Sequence, residues 1–245
     1  MPKQTDQDRN IDQEHVNNRL LRSLPPSDFS TIRPFLTRAK LRRGQVLQEN
    51  HRAVDNVYFI ESGAASLFLR TKRDGLVGVA IVARYGLTGV PVVLGTSYSP
   101  YRCTVLIAGE AIKIASSDLQ AVMATCASLR QILNRYVHAL MVQHAQLVLC
   151  ASRHNLDERL SAWLLAISDR IESRNISITH DLVSHMLGVR RPSVTAAIAS
   201  LERSGAVAGG RGQLLIVDRS KLEKLSCECY ENMRLEYSRL LGVDQ

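Results

Sequence analysis

The sequence predicts an α+β chain in three successive parts: an N-terminal barrel or β-roll of jelly-roll type, one long helix, and a C-terminal winged helix-turn-helix. Three observations carry that prediction. From Arg38 to about Ile114, β-branched and aromatic residues are interrupted by Gly44, Gly63, Asp74-Gly75, Gly86, Gly89, Gly95 and Gly109, the texture of short strands between turns. From about Ser128 to His154, the stripe Leu129, Leu133, Tyr136, Leu140, Gln143, Leu147 and Cys150 recurs at steps of four and three, the period of a helix with one seam. Between Ile178 and Leu201, two short apolar-periodic runs meet at Gly188, and two strand-like runs follow.

Taken in order, residues 1–18 are polar and read as a loose tail. Asn18 to Leu36 reads as a short helix pair punctuated by Pro25-Pro26 and Pro34. Within the strand-rich region Asp74-Gly75 is the strongest hairpin signal, and Val57 to Gly63 reads as a buried strand entering a tight turn. The apolar run from Val90 to Leu94 is expected to pack against the roll. The long helix's stripe has the spacing of a two-helix seam, so a homodimer is expected, with Gln143 as the one polar residue in it. Packing of that stripe on the chain's own roll is the alternative. His138 and His144 flank the stripe and read as surface histidines.

In the helix-turn-helix, Thr179 is placed to cap the first helix by accepting from its free amides, and Leu182, Val183, Met186 and Leu187 form its apolar face. Gly188 supplies the turn. In the second helix Val194, Ala197, Ile198 and Leu201 form the buried stripe, and Pro192 sits in the first turn, where a missing N–H costs nothing. Arg190, Arg191, Ser193, Thr195 and Ala196 are left at its start or on its open side. No Asp or Glu lies between Asp181 and Glu202, so this face suits a polyanion. Arginine can fork onto guanine edges, hydroxyls can reach phosphates, and alanine lets a helix sink into a major groove. A compact helical hairpin with a solvated basic end is the plainer alternative. Gly205 to Ala208 and Gln213 to Val217 then read as a hairpin around Gly209-Gly210-Arg211-Gly212, a wing with Arg211 at its tip.

Composition narrows the function classes. The chain has 245 residues, 45% hydrophobic and 22% charged, as in an ordinary globular protein of two small domains. No apolar run approaches the roughly 18–20 residues that span a bilayer, and Met1 to Arg22 lacks the apolar core of a signal peptide; a cytoplasmic protein without a membrane partner is expected. The net charge of +8 does not itself argue for DNA, because residues from Asn155 onward hold 12 Lys/Arg against 12 Asp/Glu. Cys103, Cys126, Cys150, Cys227 and Cys229 are odd in number and irregular in spacing, which suits a reducing compartment. Cys227-x-Cys229 lacks a second pair, so no metal site is expected. No Gly-x-Ser-x-Gly, His-Glu-x-x-His or phosphate-loop motif occurs, so an enzyme is not expected.

The segment from Ile178 to Val217 resembles the winged helix-turn-helix of the CRP/FNR family of bacterial transcription regulators, and the strand-rich region with its long helix resembles that family's effector domain. After the tail at 1–18, the resemblance implies a cyclic-nucleotide-binding-like roll at 19–127, a dimerisation helix at 128–154 and a DNA-binding domain at 155–245. It implies a homodimeric regulator of double-stranded DNA that also meets RNA polymerase, with Arg191 at a position where an arginine commonly contacts a base; Thr179, Arg190, Arg191, Ser193, Thr195, Ala196 and Arg211 together are the expected DNA-contacting set. Pro192 and Ala196 stand where cyclic-AMP receptor proteins carry glutamate and arginine, so the target sequence is expected to differ from theirs. The family's effector position falls on Gly86, Gly89, Val90, Arg102 and Cys103. Arg102 matches the phosphate-binding arginine, but Val90 replaces the glutamate that accepts the ribose hydroxyl. An unpaired buried donor costs about 1–3 kcal/mol, so no cofactor is expected and a cyclic nucleotide is disfavoured. Met1 to Gln48 holds no cysteine, against an iron–sulfur cluster of the kind some members carry there. A ligand-binding or scaffold protein without DNA binding is the competing class, ahead of an enzyme with an unrecognised site.

Overall fold

A computed structural model describes residues 11–72, 75–210 and 212–242. The chain divides into two compact units, one of residues up to 67 and 82–138, the other of residues 68–81 and from 139 onward.

The first unit begins earlier than composition suggests. Residues 1–10 lie outside the described residues, but 11–18 do not form a loose tail: Ile11, Val16 and Asn18 are fully buried. The reason is a polar anchor in an otherwise hydrophilic stretch. The Asn18 side chain accepts from the amides of Leu20 and Leu21, opening helix α1 (Arg19–Arg22), and its Nδ2 donates to the carbonyls of Ile60 (2.9 Å) and Gly86 (2.8 Å). Its own amide donates to Glu61 at 2.7 Å. Burial pushes the Glu61 carboxyl above its usual range despite these amides. Helix α2 (Pro26–Ile32) starts on Pro26, as a fixed φ favours at a helix's first position.

The strands are β1 (Thr37–Leu41), β2 (Val46–Gln48), β3 (Arg52–Ala53), β4 (Asn56–Ile60), β5 (Ala64–Thr71), β6 (Gly75–Val82), β7 (Tyr98–Ser99), β8 (Arg102–Ile107) and β9 (Gly109–Ala115). They form sheets ordered β1-β9-β4, β2-β8-β5-β6 and β3-β7, with β1-β9, β9-β4, β2-β8 and β3-β7 antiparallel, and make up the β-roll. Asp74, the expected hairpin residue between β5 and β6, lies outside the described residues. The short helix α3 (Val90–Val93) interrupts the strands and buries Pro91, Val92 and Val93, while Leu94 stays exposed. Helix α4 (Ser116–Thr125) precedes the long helix α5 (Ala127–Arg153). Tyr136 of α5 is fully buried, its hydroxyl donating to the Leu87 carbonyl at 3.1 Å. A Cβ on Gly86 would lie 2.5 Å from that hydroxyl, so only glycine admits the ring.

The expected seam requires correction. Leu129, Leu133, Tyr136, Leu140, Gln143 and Cys150 are buried within the chain itself, and Leu147 is half-buried. The apolar residues of α5 left open are Met141 (64% exposed), Ala145, Val148 (71%) and Leu149. Helix periodicity finds apolar stripes but cannot tell which faces the chain's own core, and here the larger side chains are on the inner one.

In the second unit α6 (Leu156–Ile171) opens with a full capping box, Asn155 accepting from the Glu158 amide and Glu158 from the Asn155 amide. There follow β10 (Asn175–Ile176), α7 (His180–Leu187), α8 (Arg191–Arg203), β11 (Val207–Gly210), β12 (Gln213–Ile216), α9 (Arg219–Leu225) and α10 (Cys229–Leu241). Core side chains include Leu164, Leu165, Ile167, Val183, Val194, Ile198 and Leu222. Gly78 of the β5–β6 hairpin abuts Met186 of α7.

Candidate nucleic-acid interface

The turn between α7 and α8 is fixed from three sides. Thr179 accepts from the Leu182 amide at 3.2 Å and starts α7. Gly188 ends it at φ +64°, a conformation that a β-carbon would strain. From α6, Arg159 donates to the Leu187 carbonyl at 2.6 Å, placing a cation on α7's negative end. Helix α8 then starts at Arg191, with Arg190 as a cap residue that makes no side-chain bond to the helix.

Val194, Ala197, Ile198 and Leu201 of α8 are buried, and Arg190, Arg191, Ser193, Thr195 and Ala196 are exposed. Neither Arg190 nor Arg191 has a carboxylate partner among the described residues. Thr195 is partly committed: its hydroxyl donates to the Arg191 carbonyl at 3.2 Å and lies 2.9 Å from His180 Nδ1. It therefore ties α8 to α7. Thr179 is likewise used as a cap, which leaves Arg190, Arg191, Ser193 and Ala196 as the unengaged part of the expected set.

The wing is tighter than its sequence suggests. Strand β11 runs through Gly209 and Gly210, Gly210 pairs with Gln213, and the sheet order is β10-β12-β11. Gly209 and Gly210 thus belong to the strand rather than to the turn, and Arg211, the expected wing-tip residue, lies outside the described residues. Glu202 of α8 accepts from the Gly209 amide at 2.8 Å, and a Cβ on Gly209 would stand 2.2 Å from that carboxylate. Helix and wing thus border one groove of about 670 Å³, lined in part by Thr179, Arg191, Thr195, Ala199 and Gly210. Glu202, His180 and Arg159 were not legible as site residues, because each acts through a partner that only the folded turn brings near.

The expected effector residues are arranged differently. Val90 opens α3 and Cys103 is fully buried, its thiol pushed up to about 12 by burial. Arg102 Nε lies 3.6 Å from the Glu49 carboxylate, so its charge already faces an anion.

A further constellation falls outside the sequence expectations. Cys150, on the last turns of α5, and His154, one turn later, meet Cys227 and Cys229; the ligand atoms of all four lie within 4.8 Å of one another. Cys150 Sγ is 3.5 Å from Cys227 Sγ, and Cys229 Sγ is 3.6 Å from His154 Nδ1. The contact with Cys227 raises the Cys150 thiol, the same contact holds Cys227 down at about 6, and burial pushes Cys229 to about 11. The available signal was Cys150-x-x-x-His154, one helical face, which only a long-range contact links to Cys227-x-Cys229.

Beyond the wing, α10 is held by polar contacts. Arg219 donates to Asp169 (2.6 Å) and to the Tyr230 hydroxyl (2.6 Å), and Tyr230 donates to the other Asp169 oxygen (2.6 Å). Arg170 sits 5.2 Å over the Tyr237 ring.

The fold and this motif define a class: a β-roll protein bearing a winged helix-turn-helix. Residues 158–225 match the family described as the Crp-like helix-turn-helix domain. No curated protein matches the chain by sequence. Among solved structures, FixK2 from Bradyrhizobium japonicum is similar over 78% of this chain and 98% of its own, at 17% identity and TM-score 0.67. A CRP-family transcriptional regulator from Thermus thermophilus is similar over 84% and 97%, at 15% identity and TM-score 0.62. The c-di-GMP-responsive global regulator CLP of Xanthomonas campestris is similar over 78% and 99%, at 11% identity and TM-score 0.64. The chain shares its fold with these regulators.

Proposed function

We propose that this chain is a sequence-specific, non-enzymatic transcription regulator of CRP/FNR type that binds a two-fold-symmetric DNA site as a homodimer. The observation that carries the reading is the leading end of α8: within a Crp-like helix-turn-helix, it presents Arg190 and Arg191 beside Ser193 and Ala196, exposed and without carboxylate partners among the described residues. Arginine there reads base edges, and backbone and hydroxyl groups position the helix on phosphates.

The dimer forms along Met141, Ala145 and Val148, the outward stripe of α5, whose steps of four and three keep one seam facing a second copy. Two recognition helices then meet half-sites one helical turn apart. RNA polymerase is the partner that such a regulator meets on DNA. Among the described residues no helix is long and apolar enough to cross a membrane, and the protein acts in the cytoplasm, where its target is.

The roll receives a signal other than a cyclic nucleotide at the family's position. Val90 offers no acceptor for a ribose hydroxyl, and the Glu49 carboxylate beside Arg102 repels a phosphate. Whatever the roll binds, it shifts DNA affinity only by its differential affinity for the two arrangements of the dimer.

Selection from a random duplex pool by the purified chain tests the proposal. An enriched inverted repeat is expected, bound with steep salt dependence. Retention without sequence preference, or recovery of a single unrepeated half-site, contradicts it.

A further inference from the structure

The four side chains Cys150, His154, Cys227 and Cys229 form a site that DNA binding does not use. They come from opposite ends of the matched helix-turn-helix domain: two lie before residue 158 and two after residue 225. All three cysteines are buried and the His154 side chain is 14% exposed.

We propose that these residues are a structural zinc site of Cys₃His type, which fastens the start of α10 to the end of α5. The separations suit one ion. Zn–S bonds of about 2.3 Å and Zn–N bonds of about 2.0–2.1 Å in a tetrahedron place neighbouring ligand atoms roughly 3.5–3.8 Å apart. The observed edges are 3.5 Å (Cys150 to Cys227) and 3.6 Å (Cys229 to His154), with no pair beyond 4.8 Å. An iron–sulfur cluster requires its cysteines to stand farther apart, because several irons and sulfides come between them. A disulfide between Cys150 and Cys227 requires their sulfurs to close to about 2.05 Å.

The surroundings complete the set. His154 turns Nδ1 toward the thiols and Nε2 toward the Glu228 carboxylate, 3.3 Å away. That is the carboxylate–histidine–metal arrangement, in which the outer carboxylate fixes the tautomer and raises ligand basicity. The four ligands close the coordination sphere, so the ion is structural and leaves no position for a substrate. Three soft thiolates favour zinc or copper(I) over magnesium or calcium, and four-coordination with an imidazole favours zinc. Binding takes three thiolates and a neutral imidazole, so each cysteine still protonated gives up its proton to solvent as the ion is taken up. A pocket of about 390 Å³ lined by Cys227, Glu228, Tyr230 and Glu231 gives the ion a route in.

The test uses the full-length, reduced protein. Metal analysis is expected to give one zinc per chain, and replacement with cobalt(II) to give the intense visible bands of a tetrahedral thiolate site. Cys229→Ser is expected to lose stoichiometric metal, whereas Cys126→Ser, a buried cysteine outside the cluster, keeps it. His154→Cys supplies a fourth thiolate and is expected to retain cobalt with its bands moved to longer wavelength, which separates ligand loss from misfolding. Failure of the folded, reduced protein to bind either metal overturns the proposal, as does metal that survives in Cys229→Ser. A Cys150–Cys227 disulfide in protein prepared under air with zinc present also overturns it, in favour of a redox pair. None of these results depends on whether the chain binds DNA.

Discussion

Two arginines, Arg102 in the roll and Arg191 at the start of α8, are expected from the resemblance to meet an anionic partner, and the structure surrounds them differently. Arg191 stands exposed at a helix start with no carboxylate partner among the described residues. Arg102 faces the Glu49 carboxylate at 3.6 Å. The residue type is the same and the neighbours decide its use. A cation left unpaired beside small side chains is available to a polyanion, whereas one already facing an anion must exchange that contact for any ligand.

In the proposed dimer, breaking the outward stripe of α5 removes the arrangement in which Arg191 would act twice. Met141→Glu with Val148→Glu is expected to give monomers and to cost roughly 10²–10⁴-fold in affinity for the full site, the loss that follows when two linked contacts become one. Light scattering and a binding isotherm check this together. Next in size, Arg191→Ala is expected to cost about 1–3 kcal/mol of DNA affinity. Arg102→Ala should leave DNA affinity unchanged and stability within about 1 kcal/mol, since its ion pair is partly exposed. Equal losses in the two variants would erase the contrast.

Gly86→Ala sharpens the roll's side. A β-carbon 2.5 Å from the Tyr136 hydroxyl forces the ring to move, at about 1–3 kcal/mol. A lower Tm with unchanged base preference is expected. Smaller again, Glu202→Ala frees the Gly209 amide from α8. A loss of about 1 kcal/mol of affinity, uniform across DNA sequences, is expected in a filter-binding series. The smallest effect is a pH dependence. Burial lowers the His144 pKa in the folded chain, so the unfolded chain binds more protons just below the ordinary histidine value of 6.5. Stability is therefore expected to fall as pH drops through that window, and to fall less in His144→Gln.

The helix-turn-helix was legible almost residue by residue, because its caps, turn glycine and apolar stripe are local signals set by neighbours within a few positions. Thr179, Gly188 and the buried Val194, Ala197, Ile198 and Leu201 occupy the expected places. The roll was legible as a texture of strands and turns, but its pairing was not, since register depends on partners far along the chain. Two expectations failed for the same physical reason. The stripe from Leu129 to Cys150 has an amphipathic helix's period whichever body covers it, and here the chain's own core does. The polar run at 11–18 conceals one asparagine whose partners, Ile60, Glu61 and Gly86, are distant in sequence. The Cys/His cluster escaped similarly, because Cys150 and Cys227 are separated by 77 positions.

The most direct test compares the base preferences of the wild-type chain and Arg191→Ala, selected from the same random duplex pool. An inverted repeat is expected in both, with preference relaxed in the variant at one base pair of each half-site. An identical preference at every position would show that Arg191 reads no base, and would contradict the assignment of the α8 leading end as the recognition surface.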